Sequence, residues 1–252
     1  MSSSVSLNSF DTIPLEQINA SGLFQKRIDR KYVLPAYTLE DILHYCQPFY
    51  KVLEINGVRE FDYKTDYYDT RELDTYQQHH NGRANRCKIR ERVYLNTGLH
   101  YFEVKKRSHK GATEKIRMEG SGIQEAGELI KTQAGFEPSL LINTLTSQYT
   151  RITLMHRTKN EKVTIDHHLG FSNNGHDISF PNILMVEIKT PSRNESQLVS
   201  YMKMNGHREG SLSKYCFGLI GLNPGLKHNR FKKALTKILN KNTHGSPRLL
   251  HQ

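Results

Sequence analysis

The stretch Cys87-Lys88-Ile89-Arg90-Glu91-Arg92-Val93-Tyr94 sets a cation at every second position. In a β-strand successive side chains point to opposite faces, so Lys88, Arg90 and Arg92 project together. Charges aligned in this way repel one another, and the pattern calls for something anionic in front of them. The same device recurs on either side. Arg27, Asp29 and Lys31 share a face, as do Tyr101, Glu103, Lys105 and Arg107. So do Lys115 with Arg117, Lys162 with Thr164 and Asp166, and Glu187 with Lys189. A single strand of this kind merely wets one face and buries the other. Repeated on strand after strand, with acids among the bases, the pattern points to charged faces that look at one another.

Period-two patterning predicts eight strands, at about 24–34, 60–69, 86–95, 99–107, 113–119, 150–157, 161–166 and 183–190. Leu95-Asn96-Thr97-Gly98 predicts a hairpin between the third and fourth, because Asn and Gly tolerate positive φ. Thr158-Lys159-Asn160 predicts another. Helices are expected from a capping box at Thr38–Asp41, over 72–80, over a pair at 125–134 and 138–148, over 195–204 and over 213–222. Near the C-terminus Phe231, Leu235, Ile238 and Leu239 fall on one helical face ringed by lysines. The strands spread too evenly for two domains. A single α+β domain over 23–225 is expected, preceded by a polar arm at 1–22 and followed by a basic helix and tail at 226–252.

The chain has 252 residues, with 36 Lys+Arg against 25 Asp+Glu, for a net charge of +11. Such a balance favours anionic partners. Residues 226–252 carry seven Lys/Arg and no Asp/Glu, which suggests contact with a membrane surface or membrane protein, or simple packing on the domain. The three cysteines are scattered and in no CxxC spacing, which argues against a disulfide framework or a zinc site. No apolar run approaches the ~20 residues a membrane span needs, and the first residues lack the pattern of a secretory signal. A cytoplasmic protein, at most at the inner face of the membrane, is expected. Nucleic acid is disfavoured: there is no RNP-like aromatic motif, helix-turn-helix or zinc finger, and the cations alternate along strands instead of forming a patch.

Eight antiparallel strands can close into a barrel that holds side chains and one small ligand. With the charged faces inward, the apolar faces would need cover from the helices outside. Residues Arg30, Glu91 and Lys106 break the apolar side of the pattern. Unpaired buried cations cost several kcal/mol each, so such an interior must be wet, neutralised by the acids or filled by a polyanion. Linked phosphates suit it, since Arg binds phosphoryl oxygens bidentately.

The motifs Arg27–Tyr32, Asp66–Thr70, Lys88–Arg92, Phe102–Arg107, Lys110–Met118, Val163–Asp166, Val186–Thr190 and Ser211–Tyr215 occur in one order. Together they resemble the VTC domain, the polyphosphate polymerase domain of the vacuolar transporter chaperone complex and its bacterial relatives, within the CYTH or triphosphate tunnel metalloenzyme superfamily. The resemblance spans about residues 23–222. It implies an eight-stranded antiparallel tunnel that transfers the terminal phosphoryl group of ATP to polyphosphate, with Mn²⁺ or Mg²⁺ as cofactor. It also implies roles for residues. Lys31 matches the first-strand lysine, Arg90 and Arg92 the arginine pair, Lys105 the lysine after FxE, Glu187 the metal-binding glutamate and Lys214 the lysine of the helix at one end. Lys31, Arg90, Arg92 and Lys105 are thus the expected catalytic set, and Glu187 with Glu103 the expected metal ligands. Arg27, Lys88, Lys115, Arg117, Arg151, Lys162, Lys189 and Lys214 are expected to bind phosphate.

Two departures qualify the resemblance. The superfamily's first strand reads ExExK, whereas this chain has Arg27-Ile28-Asp29-Arg30-Lys31, which removes a carboxylate and favours the VTC branch over triphosphatases and class-IV cyclases. Lys162 stands where VTC polymerases usually carry Arg, exchanging a planar fork for a point charge. The alternatives to a polymerase are a tunnel triphosphatase acting on inorganic triphosphate or a nucleotide, and a non-catalytic polyanion binder.

Overall fold

The structure is a computed structural model that describes residues 6–20, 27–107, 113–120, 122–192, 196–210 and 213–242. Its strands are β1 (Thr12–Ile13), β2 (Ile28–Pro35), β3 (Tyr50–Leu53), β4 (Glu60–Asp69), β5 (Arg86–Tyr94), β6 (Leu99–Arg107), β7 (Thr113–Glu119), β8 (Ile142–His156), β9 (Lys162–Asn173), β10 (His176–Phe180) and β11 (Ile183–Thr190). The helices are α1 (Leu15–Ala20), α2 (Leu39–Cys46), α3 (Asp74–His80), α4 (Gly127–Ala134), α5 (Gln197–Met204), α6 (Lys214–Leu222) and α7 (Lys232–Asn242).

All strands belong to one 11-stranded sheet, whose main path runs β2-β11-β9-β8-β4-β5-β6-β7. These eight are the strands expected from the sequence, and every neighbouring pair is antiparallel. The expected closed barrel is corrected: among the described residues no pairing joins β2 to β7. The sheet curls without sealing. Both lips are cationic, with Arg27 and Lys31 on one and Lys115 and Arg117 on the other, so direct pairing would set like charges opposite each other. That the walls face each other is plain from their electrostatics. Burial is the first cause that lowers Lys88 in β5, Lys105 in β6 and Lys162 in β9, and the charge of Lys31 in β2 adds to it for the first two and that of Lys115 in β7 for the third.

The apolar faces point outward, under helices. Tyr32, Leu34, Val163, Ile165, Val186 and Ile188 pack beneath Ile42 and Cys46 of α2 and Leu198 and Met202 of α5. Ile89, Phe102 and Val104 pack beneath Ala126 and Ile130 near and within α4. Arg30, Glu91 and Lys106 each find a local answer: Arg30 lies 3.9 Å from Glu209, Glu91 accepts from Tyr68, and Lys106 is exposed.

The inner face is not charged throughout. Val33, Leu145, Phe171, Ile183 and Met185 lie on the charged side of their strands but pack with Tyr215 and Phe217 of α6 and Leu235 and Ile238 of α7. Helix α6 therefore fills part of the curl. It approaches closely because of Gly218, where a Cβ would meet Phe171 at 2.5 Å and Leu145 at 2.8 Å. The buried Leu235 and Ile238 also mean that the apolar face of α7 is engaged with the sheet, not free for lipid. Residues 12–20 of the expected polar arm dock as well: β1 pairs with β3, and Ile18 is 1% exposed. The last residues of the basic tail, 243–252, lie outside the described residues.

Three local expectations need correction. Residues 138–148 are not helical: a 3₁₀ turn, Pro138–Leu140, leads into β8, whose Leu145, Ser147 and Tyr149 alternate as a strand requires. The capping box at Thr38 does not form, because its hydroxyl donates to the Pro35 carbonyl at 2.7 Å instead. Strand β10 was not anticipated. It follows a hairpin at Asn174 and Gly175, both at positive φ.

Candidate functional site

Register brings the alternating cations abreast. Lys88 in β5 pairs with Lys105 in β6, which pairs with Lys115 in β7, giving a row of three lysines. One step along, Arg90 faces Glu103, which faces Arg117. On the other wall Lys31 faces Glu187 and Lys189 faces Lys162. Arg151 faces Asp166 across β8 and β9.

Three carboxylates organise these cations. Glu103, at 0% exposure, receives Arg90 at 2.6 and 2.7 Å and Lys115, with Arg92 at 3.9 Å. Asp166 takes Arg151 through two bonds of 2.5 and 2.8 Å, and also Lys214. Glu187 is held by Lys31 on one oxygen and by Lys189 on the other at 2.6 Å. Burial alone would push each carboxyl up. The neighbouring cations more than offset it and hold all three below the usual carboxylate range, fully ionised. Outside this set, Asp29 accepts from Arg27 at 2.8 Å.

The lysines bear the opposite strain. Burial first, then repulsion from neighbours that include Arg90 and Lys31, brings Lys105 down to about 7 and Lys88 to about 8. Lys115 and Lys162 are also lowered to about 8, chiefly by burial. The side chain of Lys115 is 37% exposed, so solvent tempers its shift. Among the described residues neither Lys88 nor Lys105 has a salt-bridge partner within 4.0 Å.

Lys214 enters from α6. Ser213 caps that helix, accepting from the Cys216 amide at 3.2 Å. The next residue is thereby aimed at Asp166 and lies 4.3 Å over the Tyr149 ring. A lysine at a helix N-terminus opposes the helix dipole, and Asp166 offsets that cost. Tyr215 donates to Asp69, a buried carboxylate that also accepts from the amides of Thr70, Thr75 and Tyr76. The helix that delivers Lys214 is thus tied to the start of α3.

Tyr63 and Tyr149 were not anticipated as part of the site. Their rings stack 5.2 Å apart, with Arg151 5.0 and 5.3 Å from their centroids and Arg92 5.7 Å from Tyr63. They form an aromatic floor that fixes the guanidinium planes. The signal was in the sequence, since Tyr149 stands two residues before Arg151 and so shares its face.

Arg27 stands just before β2, and the other expected cations lie on the strand faces or the helix start just described. Among the described residues no three His, Cys, Asp or Glu side chains come together as a metal site. Glu103, expected to help bind metal, has an oxygen on Arg90 and the other on Lys115. Glu187 is ionised but is likewise engaged, with Lys31 on one oxygen and Lys189 on the other, so an ion there would share this carboxylate with the two lysines. The donor set therefore suits a divalent ion that arrives with phosphate oxygens as its other ligands, not one caged by protein alone.

A search of curated proteins gives no match. Among solved structures, a putative adenylyl cyclase from Hippeastrum, described as having a dominant triphosphatase activity, superposes with a TM-score of 0.54 at 15% identity. The match covers 81% of this chain and 100% of that one. A putative adenylate cyclase from Bacillus halodurans gives 0.52 at 12% identity, over 75% of this chain and 94% of that one. At such identities the likeness is one of fold. The VTC domain family model matches residues 26–223, which takes in every strand of the curled wall and α6, and the chain belongs to the VTC domain family.

Proposed function

We propose that this protein is a phosphotransferase that moves the γ-phosphoryl group of ATP onto a polyphosphate chain held inside the curled sheet. The observation that carries the reading is the row Lys88, Lys105 and Lys115, converging with Arg90, Arg92, Arg151 and Lys31 on one space. Glu103, Asp166 and Glu187 fix the cations in place but leave a surplus that a chain of phosphates would satisfy. Membership of the VTC family supports the same substrate class.

Phosphoryl transfer needs alignment and charge stabilisation more than covalent chemistry. A terminal phosphate oxygen of the acceptor attacks the γ-phosphorus in line, and the bond to the β-phosphate oxygen breaks, releasing ADP. That nucleophile is already ionised, so no general base is required. Arg90 and Arg92, anchored by Glu103, hold the equatorial oxygens, while Lys31, Lys88 and Lys105 hold the chain. Glu187 would hold Mn²⁺ or Mg²⁺ shared with the phosphates, and the ion would supply further charge neutralisation.

A second reading, hydrolysis of triphosphate, uses the same cradle with water as acceptor. Hydrolysis is the activity described for the Hippeastrum neighbour. Incubation with ATP and Mn²⁺ separates the readings. Polymer resolved on a gel supports transfer, and orthophosphate without polymer supports hydrolysis. Tight polyphosphate binding with neither product leaves a non-catalytic binder. Arg90→Ala should abolish turnover while the protein stays folded; full activity in that variant would refute the assigned wall.

A further inference from the structure

One step beyond the row of lysines, β5 and β6 pair Arg86 with Arg107. Arg230, in the turn leading to α7, lies directly against the loop before β5: a Cβ at Gly82 would collide with its guanidinium. The register and this contact gather the three at one end of the sheet, where burial first, and then the charges of Arg107 and Arg230, lower Arg86. Arg86 donates to the Arg83 carbonyl at 2.7 Å, which leaves its charge uncompensated. Arg83 and Lys227 are exposed nearby in the chain. Among the described residues none of these cations has a carboxylate within salt-bridge distance.

Inside the curl Glu103, Asp166 and Glu187 anchor most of the cations, though not Lys88 or Lys105. At this end no carboxylate among the described residues does so. Like charges are assembled here without compensation, at the edge of a wall suited to phosphates and one same-face step, about 7 Å, beyond the Lys88–Lys105 pair, so a long chain that fills the interior runs on over them. We propose that the surface built by Arg86, Arg107 and Arg230 is a second polyanion-binding surface, which takes the part of a polyphosphate chain that extends beyond the curled sheet. The inference rests on the phosphate-binding reading of the interior and adds a dependence on chain length to it.

The test compares inorganic triphosphate with polyphosphate of roughly a hundred units, binding each to wild type, Arg107→Glu and Arg230→Glu. The weaker variants Arg107→Ser and Arg230→Ser cover the case that a glutamate disturbs folding. Long-chain affinity is expected to fall at least tenfold in the glutamate variants, with a shallower salt dependence, while triphosphate affinity stays within about twofold. Unchanged long-chain affinity overturns the proposal and leaves the interior reading intact. Equal loss for both ligands also overturns it, because the arginines would then belong to the interior site. Failure of wild type to bind either ligand overturns the interior reading and this one together. An RNA oligonucleotide that displaces long polyphosphate from wild type but not from Arg107→Glu would assign the surface to nucleic acid and overturn it as well.

Discussion

Filling the interior with inorganic triphosphate is expected to draw protons from solution. In the free protein Lys88, Lys115 and Lys162 titrate at about 8 and Lys105 at about 7. A bound polyanion supplies the counter-charge they lack and returns each towards the ordinary lysine value of about 10.4. At pH 8 a group titrating at about 8 is half charged, and one at about 7 is only about a tenth charged. Completing all four takes up roughly two protons per ligand bound. Calorimetry in buffers of low and high ionisation enthalpy counts them. Because binding takes up protons, the contribution of these lysines to affinity weakens as pH rises through 8, by roughly a hundredfold per unit at that pH and more steeply above it. Lys105→Met should take up nearly one proton fewer than wild type. The ligand's own ionisation is common to both and cancels in the comparison. Equal proton counts in the two proteins would refute the reasoning.

Three further outcomes follow from the same geometry. Glu103→Gln removes the charge that holds Arg90, Arg92 and Lys115; the ligand-free protein should lose about 3 kcal/mol in denaturant melts, and triphosphate should raise its Tm by more than it raises that of wild type. Gly218→Ala sets a methyl against Phe171 and Leu145 and should cost about 1–3 kcal/mol, read by the same melts. Ligand-free stability should rise from pH 7 to 9, because the folded protein's lowered lysines bind fewer protons there than the unfolded chain. Glu103, Asp166 and Glu187, held low in the fold, should give stability that is present above about pH 4.3 and lost as pH falls further. A flat profile across either window would contradict the assigned partners.

The wall of the site was legible in the sequence because it obeys a period of two. Lys88, Arg90 and Arg92 declare their face without help from any other strand, and so do Lys31, Glu103 and Glu187. The apolar partner residues Ile89, Val104 and Ile165 confirm it from the other side. What the sequence could not declare was register, which decides that Glu103 meets Arg90 and Lys115. Closure was overestimated for a similar reason: alternation describes one strand and says nothing of whether two lips will pair. Residues 138–148 were misjudged because Leu141, Leu145 and Gln148 also fit a helical spacing, and tertiary pairing with β4 overrides it. Asp69 escaped notice because a lone buried carboxylate has no pattern. Its importance comes only from the amides of α3 and the hydroxyl of Tyr215 that converge on it.

The contact between Lys31 and Glu187 joins strands 156 residues apart in sequence. The first wall strand therefore has to wait for the last, and such long-range pairing makes for slow folding. During that wait the cation-bearing strands have no opposite wall to meet. A polyanion present during refolding should shorten the delay by screening them, so the molecule that fills the finished site would also assist its assembly.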